Sequence, residues 1–183
     1  VELLSKAGSD SRSLAAASLS LGECLLDLDR WSDAELTLGR AITLSGGDAD
    51  LRTRAHAKRA FAYWGLGNMQ AMDEGLVTAE ALLAKSDVSA QARASVLLAR
   101  AAWLADNGRL DQSLPLFDEV IRTSLSTEGA LSRTAMQART TMASRMVFAH
   151  RVEAAKPHLA AALAAMRSSA SSSWRPSWAG RSP

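Results

Sequence analysis

Asp29-Arg30-Trp31-Ser32-Asp33-Ala34-Glu35-Leu36-Thr37-Leu38-Gly39-Arg40-Ala41-Ile42 decides the fold, because its pattern returns three times along the chain. Trp31, Ala34, Leu38, Ala41 and Ile42 are spaced by three or four, which places them on one face of a helix. Ser32 followed by Glu35 has the spacing of a capping box that would start this helix. Before it, Leu14 to Leu28 reads as a second helix, closed by the polar break Asp29-Arg30. The unit is a helical hairpin with a first helix A and a second helix B.

Working outward, Gly46-Gly47-Asp48 ends one helix and offers a cap for the next. Leu51 to Leu66 repeats helix A, Gly67-Asn68 makes the turn, and Met69, Met72, Leu76 and Ala79 carry helix B. Ala94 to Asp106 is helix A again. After Asn107-Gly108, Leu110, Ser113, Phe117, Val120 and Ile121 fill the slots of the opening stretch. In the last unit Val152, Ala155, Leu159, Ala162 and Leu163 do the same. Aligning Asp29, Gly67, Gly108 and His150 gives steps of 38, 41 and 42 residues, within the range of helical-hairpin solenoids. Pro115 and Pro157 share one slot, expected in the first turn of helix B, where a missing N–H costs little.

The expected organisation is therefore four hairpins at 13–48, 51–86, 92–127 and 132–166. Residues 1–12 read as the end of a truncated preceding repeat and its linker. With the start at Val1, they lead to the expectation of a fragment of a larger regulatory protein. From Arg167 to Pro183 the chain is rich in serine and lacks periodicity, so a disordered Ser/Trp/Pro tail is expected. Trp174 and Trp178 are the candidates there for a short binding motif.

Composition agrees with an all-α chain. Of 183 residues, 48% are hydrophobic and only 5% aromatic, and the abundant alanine favours helices that approach closely. A net charge of +2 with no block of like charge argues against direct nucleic-acid binding. No apolar run has the length of a membrane span, and there is no signal-peptide pattern, so a soluble, cytoplasmic protein is expected. The one cysteine, Cys24, allows no internal disulfide.

Chemistry-bearing patterns are lacking. His56, His150 and His158 have no partner at metal-ligand spacing. The glycines are turn residues, never a phosphate-cradling loop. Asp73-Glu74 and Asp118-Glu119 are sequence neighbours on helices and diverge by about 100°. Neither catalysis, a cofactor nor a metal is expected of this segment.

These residues resemble the tetratricopeptide repeat family: Leu21-Gly22, Trp31, Ala34 and Ala41 in the first unit, and Tyr63, Gly67 and Ala79 in the second. Gly108, Phe117 and Val120 follow in the third, and Ala155 and Ala162 in the fourth. Ala60, Ala101 and Ala143 depart from the family's helix A glycine, the closing proline is missing, and the period exceeds the usual 34 residues. The longer form is similar to the helical-repeat arms of large bacterial signalling ATPases and transcriptional activators, and to arrays preceding caspase-like peptidase domains.

The resemblance implies a right-handed superhelix whose concave face, lined by helix A, holds a peptide or partner domain. By register that face contains Leu19, Glu23, Leu26 and Asp27; Arg54, Phe61 and Trp64; Ser95, Leu98, Ala102 and Asp106; and Gln137, Thr140, Ser144 and Val147. Phe61, Trp64 and Arg54 are the candidate anchors, against the alternative that the two aromatics pack between hairpins. Arg52, Arg54, Lys58 and Arg59 make one helix A locally basic, suited to an acidic peptide. The implied function is a protein-interaction scaffold whose partner is a protein, a peptide or a domain of its parent chain. The alternatives are a sensor arm binding a small inducer and an accessory region beside a peptidase.

Overall fold

A computed structural model describes residues 2–173 of the backbone and the side chains of residues 10–168. Trp174 and Trp178 lie outside the described residues. Among those described there are eight helices and no strand: α1 (Glu2–Asp27), α2 (Trp31–Leu44), α3 (Ala49–Gly65), α4 (Met69–Lys85), α5 (Ala90–Asp106), α6 (Leu110–Glu128), α7 (Arg133–Phe148) and α8 (Val152–Ser173). They pack as sequential antiparallel pairs, consistent with a hairpin array.

Two compact units divide the chain, Val1–Trp103 and Leu104–Pro183, with the division falling inside α5. In the first, α1 packs on α2, α2 on α3 and α3 on α4, and α1 also touches α3. In the second, α6 packs on α7 and α7 on α8.

The turns show why the period repeats. Asp29, Gly67, Gly108 and His150 all adopt positive φ, between 56° and 75°. The residue after each donates its N–H five residues back: Arg30 to Leu25, Asn68 to Tyr63, Arg109 to Leu104 and Arg151 to Met146. This is the Schellman closure, which satisfies a helix-end carbonyl and needs a left-handed residue at the corner. Glycine holds that conformation freely, and Asp29 holds it with a short polar side chain. Helix starts are capped where the sequence supplies the group. Asp48 accepts the Leu51 N–H at 3.0 Å, Asn68 that of Ala71 at 3.0 Å and Ser132 that of Ala135 at 3.0 Å.

The core is built from the expected stripes. Ala34, Leu38 and Ala41 of α2 join Ala15, Leu19 and Leu25 of α1 and Leu51, Ala55 and Ala62 of α3 in one cluster. Met72 and Leu76 of α4 pack with Ala60 and Ala99, and in the second unit Leu110, Ser113, Phe117, Val120 and Ile121 are all buried. So many small residues bring helix axes close. A Cβ built on Gly22 would lie 2.5 Å from Leu38, and one on Gly65 would lie 2.1 Å from the Trp31 ring.

Local expectations change at five places. Helix α2 begins at Trp31 with Arg30 as its cap and no side-chain cap bond. Ser32 is therefore inside the helix, and the Glu35 carboxylate turns to Arg59 and Tyr63 instead of back to a cap. A charge-assisted bond outweighs a backbone one. Helix α1 runs unbroken through Ala7–Asp10, where a linker was expected; one glycine costs a helix about 1 kcal/mol, too little to break it alone. Helix α8 likewise continues to Ser173, past the expected end at Met166. Pro115 and Pro157 fall in the second turn of α6 and α8, not the first, and each removes one N–H donor there. Finally, Val152, Leu159 and Leu163 of the last stripe are exposed, while Ala155, Ala162 and Ala165 face inward.

Candidate functional site

Helices α1 and α3, the A helices of the first two hairpins, lie side by side. Between them runs a cleft lined by Arg12, Ala16, Leu19, Ser20, Asp48, Asp50, Leu51 and Arg54. Leu19, 2% exposed, forms part of its apolar floor. Two of its carboxylates are already engaged. Asp48 caps α3 and pairs with Arg12 at 2.8 Å, and Asp50 accepts the Ser89 N–H at 2.7 Å.

Across this face Glu23 of α1 meets two cations of α3. Lys58 Nζ lies 3.5 Å from its Oε1, and Arg54 Nη2 lies 3.9 Å from the same atom. The Arg54 contact is therefore a loose ion pair and not a hydrogen bond. The Nε of Arg54 is buried and has no hydrogen-bond acceptor among the described residues. An N–H of a charged group buried without an acceptor costs free energy that an incoming acceptor would recover.

The rest of α3 adds to the positive potential. His56 is held below its ordinary pKa by desolvation first, then by the Arg59 and Arg52 charges, so it stays neutral at pH 7. Its proton affinity is lower folded than unfolded. Stability from this group is therefore present above the unfolded value of 6.5 and is lost as pH falls from there through the lower folded value. Denaturant titrations at stepped pH should show wild-type stability falling as the pH is lowered below the unfolded value of 6.5, with a shallower fall in His56→Gln.

The expected site residues separate. Glu23, Arg54 and Leu19 come together on the α1–α3 face. Phe61 and Trp64 are half-buried and pack against Ala60, Met72, Leu76 and Ala99. Trp64 also meets Trp31 edge to face at 5.9 Å between centroids. Both therefore contribute to packing. Leu98 is 1% exposed and lines no surface, because α5 buries Val96, Ala99, Ala101 and Ala102 as well; a register that exposes one side of α1 exposes almost none of α5. Asp27 sits exposed near the end of α1. In the second unit Asp106 receives two hydrogen bonds from Arg145 at 3.0 Å, and Gln137 and Ser144 are half-buried on α7.

A second polar arrangement escaped sequence reading. Arg59 of α3 bonds Glu35 of α2 and lies over Tyr63, while Arg100 of α5 bonds Asp73 and Glu80 of α4 and lies over Trp103. The Glu80 hydrogen bond, outweighing burial, raises the Arg100 pKa. Arg59 and Arg100 are one repeat step apart, so the same slot fastens α2 to α3 and α4 to α5; its equivalent on α7 is the buried Met142. The matching spacing was the available signal.

Among the described residues no group of three or more His, Cys, Asp or Glu could hold a metal ion, and no helix is long and apolar enough to cross a membrane. Compared with known proteins, the chain matches no family model, no curated protein and no solved structure.

Proposed function

We propose that the chain is a tetratricopeptide-like interaction scaffold, and that the α1–α3 face takes an acidic segment of a protein partner or of another domain of a longer parent chain. The observation that carries this reading is the buried Nε of Arg54, which has no acceptor among the described residues, while Arg54 and Lys58 share the single carboxylate of Glu23. An aspartate or glutamate of the partner would complete Arg54, and an apolar neighbour would settle on the Leu19 and Leu51 floor of the cleft. Extended or helical peptides bind such faces through a few anchors of this kind. A cytoplasmic setting within a bacterial regulatory protein fits this reading.

Synthetic peptides of graded acidic content, followed by fluorescence anisotropy, test it. Acidic peptides should bind the wild type and lose about tenfold to a hundredfold in affinity on Arg54→Gln. Arg54→Glu should invert the charge preference. Equal binding of acidic and neutral peptides, or indifference to Arg54, would remove the assignment.

A further inference from the structure

We propose that the segment bound by the α1–α3 face is dipolar: it carries an acidic residue for Arg54 and, about one helical turn along the cleft, a basic residue for Asp50. This rests on the reading of that face given above, and it specifies the charge pattern that a separate partner protein presents there.

The two ends of the cleft differ in charge. Its walls run in the same direction, because Arg12 of α1 pairs with Asp48 at the start of α3, while Glu23, further along α1, meets Arg54 and Lys58, further along α3. Leu19 and Leu51 form the floor between them. At the far end Arg54 and Lys58 share the one carboxylate of Glu23, so positive charge is in excess. At the near end Asp48 and Asp50 line the cleft with Arg12, so negative charge is in excess.

The excess at each end falls on a particular residue. Arg12 bonds Asp48 at 2.8 Å through Oδ2, and the Leu51 N–H bonds Oδ1, so the Asp48 charge is matched and both its oxygens are used. Asp50 instead meets a backbone N–H, that of Ser89, through Oδ1 at 2.7 Å. A neutral donor stabilises a carboxylate without cancelling its charge. At the far end Lys58 is the nearer cation to Glu23, at 3.5 Å against 3.9 Å, and Arg54 is the one whose buried Nε meets no acceptor among the described residues. Asp50 and Arg54 stand four residues apart on α3 and line the same cleft, about 6 Å from each other along the helix axis.

This pattern selects one kind of occupant. A segment acidic throughout satisfies Arg54 but sets a second carboxylate against Asp50, beside an apolar floor where water screens charge less. A basic segment fails at Arg54. Opposite charges about 6 Å apart, as at positions i and i+4 of a helix, satisfy both ends, and like-charge juxtaposition rejects the other patterns. The chain's own stretch 167–183 contains Arg167, Arg175 and Arg181 and no acidic residue, so it lacks the group that Arg54 calls for.

Three alanine-rich helical peptides with blocked ends test this, identical except that Glu at position i is followed at i+4 by Arg, Gln or Glu. Fluorescence anisotropy with the full chain at low salt should give about tenfold higher affinity for the Glu/Arg peptide than for Glu/Gln, with Glu/Glu weakest. Asp50→Asn keeps an oxygen for the Ser89 N–H and should bind Glu/Arg and Glu/Gln alike. Asp50→Arg should bind Glu/Glu best, with circular dichroism showing that both variants keep their helicity. A wild type that binds Glu/Glu as tightly as Glu/Arg, while Arg54→Gln still weakens both, overturns the dipolar pattern and leaves the acidic-segment reading standing. A Glu/Arg preference that survives Asp50→Asn also overturns it, because the basic residue is then read elsewhere. Failure of all three peptides to bind removes both readings.

Discussion

Phe117→Ala is expected to destabilise the second unit by about 3–5 kcal/mol. The ring is fully buried on α6, between Ser113 and Val120 in the helix B stripe and in the element that packs on α7. Truncation removes the transfer free energy of the ring and leaves a cavity that α6 and α7 close only in part. A unit of this size holds on the order of 4–12 kcal/mol in total, so the variant loses a large share of it. Coupling between neighbouring repeats is local. Hydrogen exchange should therefore show the loss of protection concentrated in α6, α7 and α8, with α1 to α4 close to wild type. A uniform loss across all helices would contradict a chain of locally coupled hairpins.

Leu38→Ala is expected to cost about 2–5 kcal/mol in the first unit, and to reverse the sign of a second substitution. Leu38 is fully buried, and a Cβ on Gly22 would lie 2.5 Å from its Cγ and Cδ2. Gly22→Ala alone gains about 1 kcal/mol of helix propensity but incurs about 1–3 kcal/mol of overpacking, because a fully buried leucine has nowhere to move. With Leu38 shortened the clash is gone and the propensity gain remains. Urea titrations of the four proteins should give a favourable coupling of about 1–3 kcal/mol. Additive effects would show that α1 and α2 can move apart at this point without cost.

Much of the fold was legible because the turns and the apolar stripe repeat together. Asp29, Gly67, Gly108 and His150 could be aligned by spacing before any of them was seen to be left-handed. The slots of Phe117, Val120 and Ile121 followed from Leu38, Ala41 and Ile42. Helix ends that depend on small energies were less legible. Gly8 and the serines after Arg167 lower helix propensity without stopping a helix already nucleated, so α1 and α8 run longer than composition suggested. Glu35 had a capping-box spacing to Ser32, but its stronger partner, Arg59, was a repeat away.

The candidate face was legible only in part for the same reason. Register can say that Leu19, Arg54 and Leu98 occupy A helices; it cannot say that Leu98 is enclosed while Arg54 is left with a buried donor. Nor does it reveal that Phe61 and Trp64 are used in packing around Met72 and Leu76. Lys58 and Asp48 were visible as a local basic residue and a helix cap. Their place beside Glu23 and Arg12 needed the approach of α1 to α3.

The most direct measurement of the central claim is a heteronuclear NMR titration of the chain with an acidic peptide, observing the Nε–Hε resonance of Arg54 together with the backbone amides. Binding at the α1–α3 face predicts a large, saturable shift of that resonance. Smaller shifts should follow around Glu23, Leu51 and Lys58, all absent with a neutral peptide of the same length. An Arg54 resonance that stays fixed while the acidic peptide binds, or shifts confined to other helices, would contradict the account.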